Sequence, residues 1–184
     1  MKRAIVLLVG LTFTLSGLCA EPRFSLSLAA GLQWPADSNY KETYGQSVFL
    51  PELKAGFSVT PNIYLWAGYG LATAKGKTVV LELESKSSQN YLQVGAGYEG
   101  LLSGKLGFRA ELGLADILYR EEALGETVSG SAIGFVLSGS LTYSLSEMFY
   151  LLADVGYLYG KKTINSIGVK MGGFRAGLGA GLNF

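Results

Sequence analysis

The residues of this chain best suited to chemistry are charges at alternate positions. Glu52 and Lys54 are two apart, as are Arg109 and Glu111, while Asp154 and Arg175 each interrupt an otherwise uncharged stretch. A spacing of two sets both side chains on one face of a β-strand, because successive side chains leave opposite faces. If those faces turn inward, three acids and three bases share one interior, where a charge is costly unless paired. Mutual pairing is expected. Such a cluster is either a polar plug that takes the place of an apolar core or a gate on an ion path.

The wider inventory is thin. No histidine occurs among the 184 residues, so the side chain that most readily acts as a base near neutral pH is missing. The single cysteine, Cys19, is expected to leave with an N-terminal signal peptide, so no His/Cys metal site is expected in the mature chain, and no carboxylate site is signalled. Gly177 to Gly181 is rich in glycine but has no helix after it, which rules out a phosphate loop. No cofactor is expected. Neither is nucleic acid, since the net charge is only +1 and a basic surplus is what phosphate binding needs.

The elements that would position those charges are strands. Gly172 to Phe184 alternates strictly, with Phe174, Ala176, Leu178, Ala180, Leu182 and Phe184 on one face and Arg175, three glycines and Asn183 on the other. Seven earlier segments repeat the pattern. Their apolar faces run Phe24–Trp34, Phe49–Val59, Ile63–Leu71, Leu92–Tyr98, Leu106–Leu114, Ile133–Tyr143 and Phe149–Tyr159. The opposite faces carry the six charges, many glycines, and Tyr64, Trp66, Tyr91 and Tyr150. Each segment gives about ten residues, the length a tilted strand needs to cross a bilayer. Mean hydropathy is high at +0.31, yet beyond the N-terminus there is no run of about 18 apolar residues for a membrane helix. A closed barrel is the remaining membrane solution.

Two further regularities agree. Long polar connections (Pro35–Gln46, Ala74–Asn90, Tyr119–Gly130, Gly160–Lys170) alternate with short turns at Thr60–Asn62, Gly100–Gly104 and Ser144–Glu147. Val79, Leu81 and Leu83 alternate inside the second long connection and could extend a strand. On the apolar faces, aromatics gather at the segment ends. Phe24, Phe57, Tyr98, Phe108, Tyr143, Phe149 and Phe184 fall at the turn end, and Trp34, Phe49, Tyr69, Phe135, Tyr157, Tyr159 and Phe174 toward the loop end. Two aromatic rings with aliphatic residues between match the two interfaces of a membrane. Met1 to Ala20 reads as a cleavable signal peptide, with Lys2 and Arg3 before the apolar run Ala4–Leu15 and a cleavage site before Glu21. Its removal takes two bases and no acid, so the formal charge moves from +1 to −1.

This pattern spans the mature chain and resembles the small eight-stranded outer-membrane barrels of the OmpA transmembrane-domain and OmpX kind. The resemblance implies an all-β, antiparallel up-and-down transmembrane barrel over residues 21–184, exported to the outer membrane of a Gram-negative-type bacterium. It implies outer-membrane lipid and the barrel-assembly machinery as partners, with Phe184 as part of the assembly signal. The chain stops at its final strand, so the peptidoglycan-binding domain of full-length OmpA-type proteins is expected to be absent. The lipid A deacylases, palmitoyltransferases, phospholipases and proteases known among such barrels place a histidine in their catalytic sets, so no enzyme is expected here. Eight strands leave an interior only wide enough for side chains, which favours the plug over the gate. The expected role is structural or surface-interacting, with a ligand at the outer loops, where Asp37–Glu42, Lys75–Lys86, Arg120–Glu126 and Lys161–Lys162 mix charges. A narrow pore or small-solute channel is the alternative. A soluble lipocalin-like barrel, with the apolar face inward, is opposed by the aromatic end-rings and the terminal Phe.

Overall fold

A strand satisfies its backbone only by pairing on both edges, and eight strands achieve this without leaving an edge by closing into a ring. The computed structural model describes residues 23–77, 84–123, 125–164 and 167–184. The expected leader and the Val79, Leu81 and Leu83 run lie outside the described residues. The strands are β1 (Phe24–Pro35), β2 (Val48–Ser58), β3 (Ile63–Lys77), β4 (Glu84–Ser103), β5 (Leu106–Ala123), β6 (Glu126–Ser144), β7 (Phe149–Ile164) and β8 (Ile167–Asn183). Each pairs antiparallel with the next, and β8 returns to β1, with Leu26 opposite Leu182 and Trp34 opposite Phe174. This is an eight-stranded antiparallel up-and-down barrel, as the alternation predicts.

The register keeps the expected faces. Leu28, Leu53, Val94, Leu112, Leu137, Leu151 and Leu178 point outward and exposed, a surface suited to hydrocarbon rather than water. The aromatic neighbours meet across strands. At the turn end Phe24 lies 4.9 Å from Phe57 and Tyr98 6.0 Å from Phe108, with Tyr143 and Phe149 exposed beside them. Toward the opposite rim Trp34 lies 5.6 Å from Phe174, and Tyr157 stacks on Tyr159. The turns are tight because side chains close them. The Thr60 hydroxyl accepts from the Ile63 N–H at 3.0 Å, and the Ser146 hydroxyl from the Phe149 N–H at 3.1 Å.

The rim departs from the sequence expectation. Much of what reads as long polar connection is strand: Ala74 to Lys77 continues β3, Glu84 to Asn90 opens β4, Tyr119 to Ala123 ends β5, and Glu126 to Gly130 opens β6. β4 is 20 residues long, about twice what a bilayer crossing needs, so its first half stands above the outer aromatics. Lys161 and Lys162 also lie in a strand, β7. Asp37 to Glu42 is not a loop either. It caps and begins a short helix, α1 (Ser38–Tyr44), that crosses the mouth. The Asp37 carboxylate accepts from the backbone N–H groups of Asn39 and Tyr40, and its second oxygen from that of Lys170 on β8. The other end stops at Gly45, whose φ of +97° suits glycine. A proline stands near the end of one ladder of each flanking strand. The β1–β8 ladder ends at Pro35 and the β2–β3 ladder at Glu52, beside Pro51. A second seam opens between β6 and β7, whose pairing begins only at Gly134 and Gly160.

Candidate functional site

All six predicted charges point into the barrel, and five join one chain of contacts. Arg109 is nearest the turn end. Its guanidinium donates to Glu99 at 3.0 Å and to the Tyr150 hydroxyl at 3.1 Å, and lies 5.4 Å and 4.9 Å from the centres of the Tyr64 and Tyr150 rings. The Tyr64 hydroxyl donates to Glu111 at 2.7 Å, and Glu111 also accepts from Ser138 at 2.7 Å and from Lys54 at 2.5 Å. Lys54 lies 3.6 Å from Glu52 and 5.0 Å above the Trp66 ring. Glu52 closes the chain by accepting from Arg175, which also donates to Gln93 at 3.2 Å. Apart from the Lys54–Glu52 pair within β2, each link joins residues from different strands, so the closed register places them rather than any local turn.

Asp154 stands apart. Its Oδ1 is buried without a hydrogen-bond partner, and no ion pair reaches it among the described residues. The network has one further member that the sequence reading did not include, Glu99, which pairs with Arg109. Glu99 follows Tyr98 in the same alternation, on the inward face, one step beyond the stretch read as strand. Counting it, the acids Glu52, Glu99, Glu111 and Asp154 outnumber Lys54, Arg109 and Arg175 by one.

Above Arg175 the interior changes character. Gln33 donates to the Tyr91 hydroxyl at 2.9 Å, and that hydroxyl donates to Gln89 at 2.8 Å. Beyond it Val136, Ile117 and Leu158 are fully buried, with Met171 and Leu50 against them. The inward face becomes apolar where the strands rise out of the aromatic band. Voids in the charged zone amount to about 20 Å³ beside Glu52, Lys54 and Asp154, and about 10 Å³ beside Arg175. Space of that size holds about one water molecule. Larger cavities occur at the ends: about 540 Å³ at the turn mouth by Arg109 and Glu147, and about 350 Å³ beneath α1. Tyr40 and Tyr44 hang from α1 into the upper cavity. The Tyr44 hydroxyl donates to Glu121 at 2.6 Å, and burial, reinforced by the neighbouring carboxylate, holds this phenol well above its ordinary pKa. Burial raises Tyr40 as well.

Solved structures share this architecture. Neisserial surface protein A matches at 14% identity and a TM-score of 0.65, covering 89% of this chain and 97% of that one. OprG from Pseudomonas aeruginosa matches at 12% and 0.68, covering 88% and 95%. Ail, the attachment invasion locus protein of Yersinia pestis, matches at 15% and 0.58, covering 89% and 99%, in a complex with the heparin analogue sucrose octasulfate. The fold is that of the small eight-stranded outer-membrane barrels. No family model and no curated relative matches the chain. At these identities the likeness concerns the barrel, and the chemistry of the lumen and rim has to be read from this chain's own residues.

Proposed function

We propose that this protein is a non-enzymatic integral outer-membrane barrel, kept closed by its polar plug and working through the rim that stands above the membrane. The observation that carries the reading is the pairing of an apolar outer belt with an interior filled from both ends. Charged contacts fill the turn side, and Val136, Ile117 and Leu158 fill the rim side. Hydrocarbon is the solvent such an outer face suits, and a filled lumen leaves the exposed ends as the places where other molecules can meet the protein. The lack of histidine deprives the chain of the base used by barrel hydrolases. Ail was solved holding a heparin analogue, an example of ligand binding by a barrel of this shape.

The test is the conductance of the refolded barrel in a planar lipid bilayer. Silence from protein whose gel mobility still shifts on boiling is the expected result. Reproducible steps that scale with salt would replace this reading with the narrow pore. Recovery of the protein in a soluble fraction without detergent would remove the membrane assignment altogether.

A further inference from the structure

We propose that the cavity under α1 binds a small organic cation, an amine or quaternary ammonium compound with an apolar body. The inference rests on the surface-interaction reading only for the side of the membrane the site faces, and it gives that reading a ligand class. The cavity, about 350 Å³, lies between the helix and the inner faces of β4, β5 and β8. That volume is in the range of small-molecule pockets, roughly 300–1,000 Å³.

Its walls are aromatic and aliphatic, with Tyr40 and Tyr44 from the helix, Tyr119 from β5, and Val169 and Met171 from β8. Tyr40 and Tyr44 are four apart, so one helix face presents both rings, their centres 4.6 Å from each other. The charge at the edge is negative. Asp37 and Glu121 line the cavity, and no lysine or arginine does so among the described residues. Asp37 is committed to backbone N–H groups of the helix and of β8. Glu121 is therefore the counter-charge, steadied by the Tyr44 hydroxyl, which stays protonated and does not add a second anion. Ring faces attract cations through their quadrupole, and a carboxylate beside them adds direct Coulomb attraction. An anion would meet two carboxylates and no base. A neutral apolar guest would gain nothing from Glu121.

The experiment titrates the refolded barrel in octyl glucoside, whose head group carries no ammonium. Benzyltrimethylammonium and benzenesulfonate are the two probes, followed through the NMR resonances of Tyr40, Tyr44 and Tyr119. Saturable shifts at these residues with the ammonium, and none with the sulfonate, are expected. Glu121→Gln preserves size and a partner for Tyr44 and should weaken binding about tenfold; Tyr40→Leu, which keeps an apolar wall without a ring face, should weaken it by a similar factor. Absence of saturable shifts, equal binding of the sulfonate, or full affinity in Glu121→Gln overturns the proposal. Spectral dispersion in the same samples reports folding. Failure of the cation site in a silent barrel leaves the surface-interaction reading in place, whereas channel conductance removes that reading without touching the site.

Discussion

Glu111 holds three donors at once, the Lys54 ammonium and the hydroxyls of Tyr64 and Ser138, and so joins the turn-side charges to the middle of the barrel. Removing it leaves Glu52, at 3.6 Å, as the remaining carboxylate on Lys54, in a zone whose voids hold about one water molecule. Glu111→Ala should lower stability by about 3 kcal/mol, read as the urea midpoint of the lipid-refolded barrel, with no conductance gained. An unchanged midpoint together with an opened channel would make the cluster a gate. At this scale the sequence was informative about direction and poor about partners. A period of two says which charges share the interior, because it follows from backbone geometry alone. Whether Arg109 meets Glu111 or Glu99 depends on how strands β4 and β5 are staggered, and no local pattern records that.

Among the elements, α1 is the part that sequence hides best. Seven residues give too few turns for a helical period, and its cap, Asp37, is a single residue type common in loops. Asp37→Ala removes acceptors for two helix N–H groups and for Lys170, and should cost the helix about 1–2 kcal/mol. The expected signature is faster amide exchange over residues 38–44 while the unfolding midpoint of the barrel stays put. The helix should also respond to alkali. Tyr44 is held protonated above its ordinary 10.0, mainly by burial and then by Glu121. A group whose folded pKa is raised contributes in full below the unfolded value and loses that contribution as pH rises through it toward the folded one. Docking of α1 should therefore be steady below pH about 10 and weaken above it, and Tyr44→Phe should reduce the loss, leaving the share of Tyr40, when exchange is followed across that range.

The strands were legible where hydrocarbon lies outside and polar groups inside, and illegible where that arrangement inverts. On β5, Leu112 and Leu114 face out, but beyond them the outward positions include Asp116 and Arg120 while Ala115, Ile117 and Tyr119 fill the interior. Water replaces lipid on the outside at the rim, so the same alternation carries the opposite polarity. Tracing one apolar face along the chain loses the strand at that crossing and mistakes its outer half for loop.

For the whole molecule, the aromatic rings mark a length. The run from Phe24 to Trp34 covers roughly 33 Å along β1 at about 3.3 Å per residue, and about 25 Å once the strand is tilted by roughly 40°. The barrel cannot shorten or lengthen that interval, because the closed ladder fixes how far each strand slides past its neighbours. Membranes must then adapt to it, and a bilayer adapts at an energetic cost that grows with each ångström of mismatch. Refolding into synthetic lipids should reach its highest urea midpoint in those with hydrocarbon about 25 Å thick and fall in longer-chain lipids, a trend that a belt of uniform stickiness would not produce. The spacing of the two aromatic rows thus acts as an address: among membranes of different thickness, the protein is at home only where the lipid is as tall as its belt.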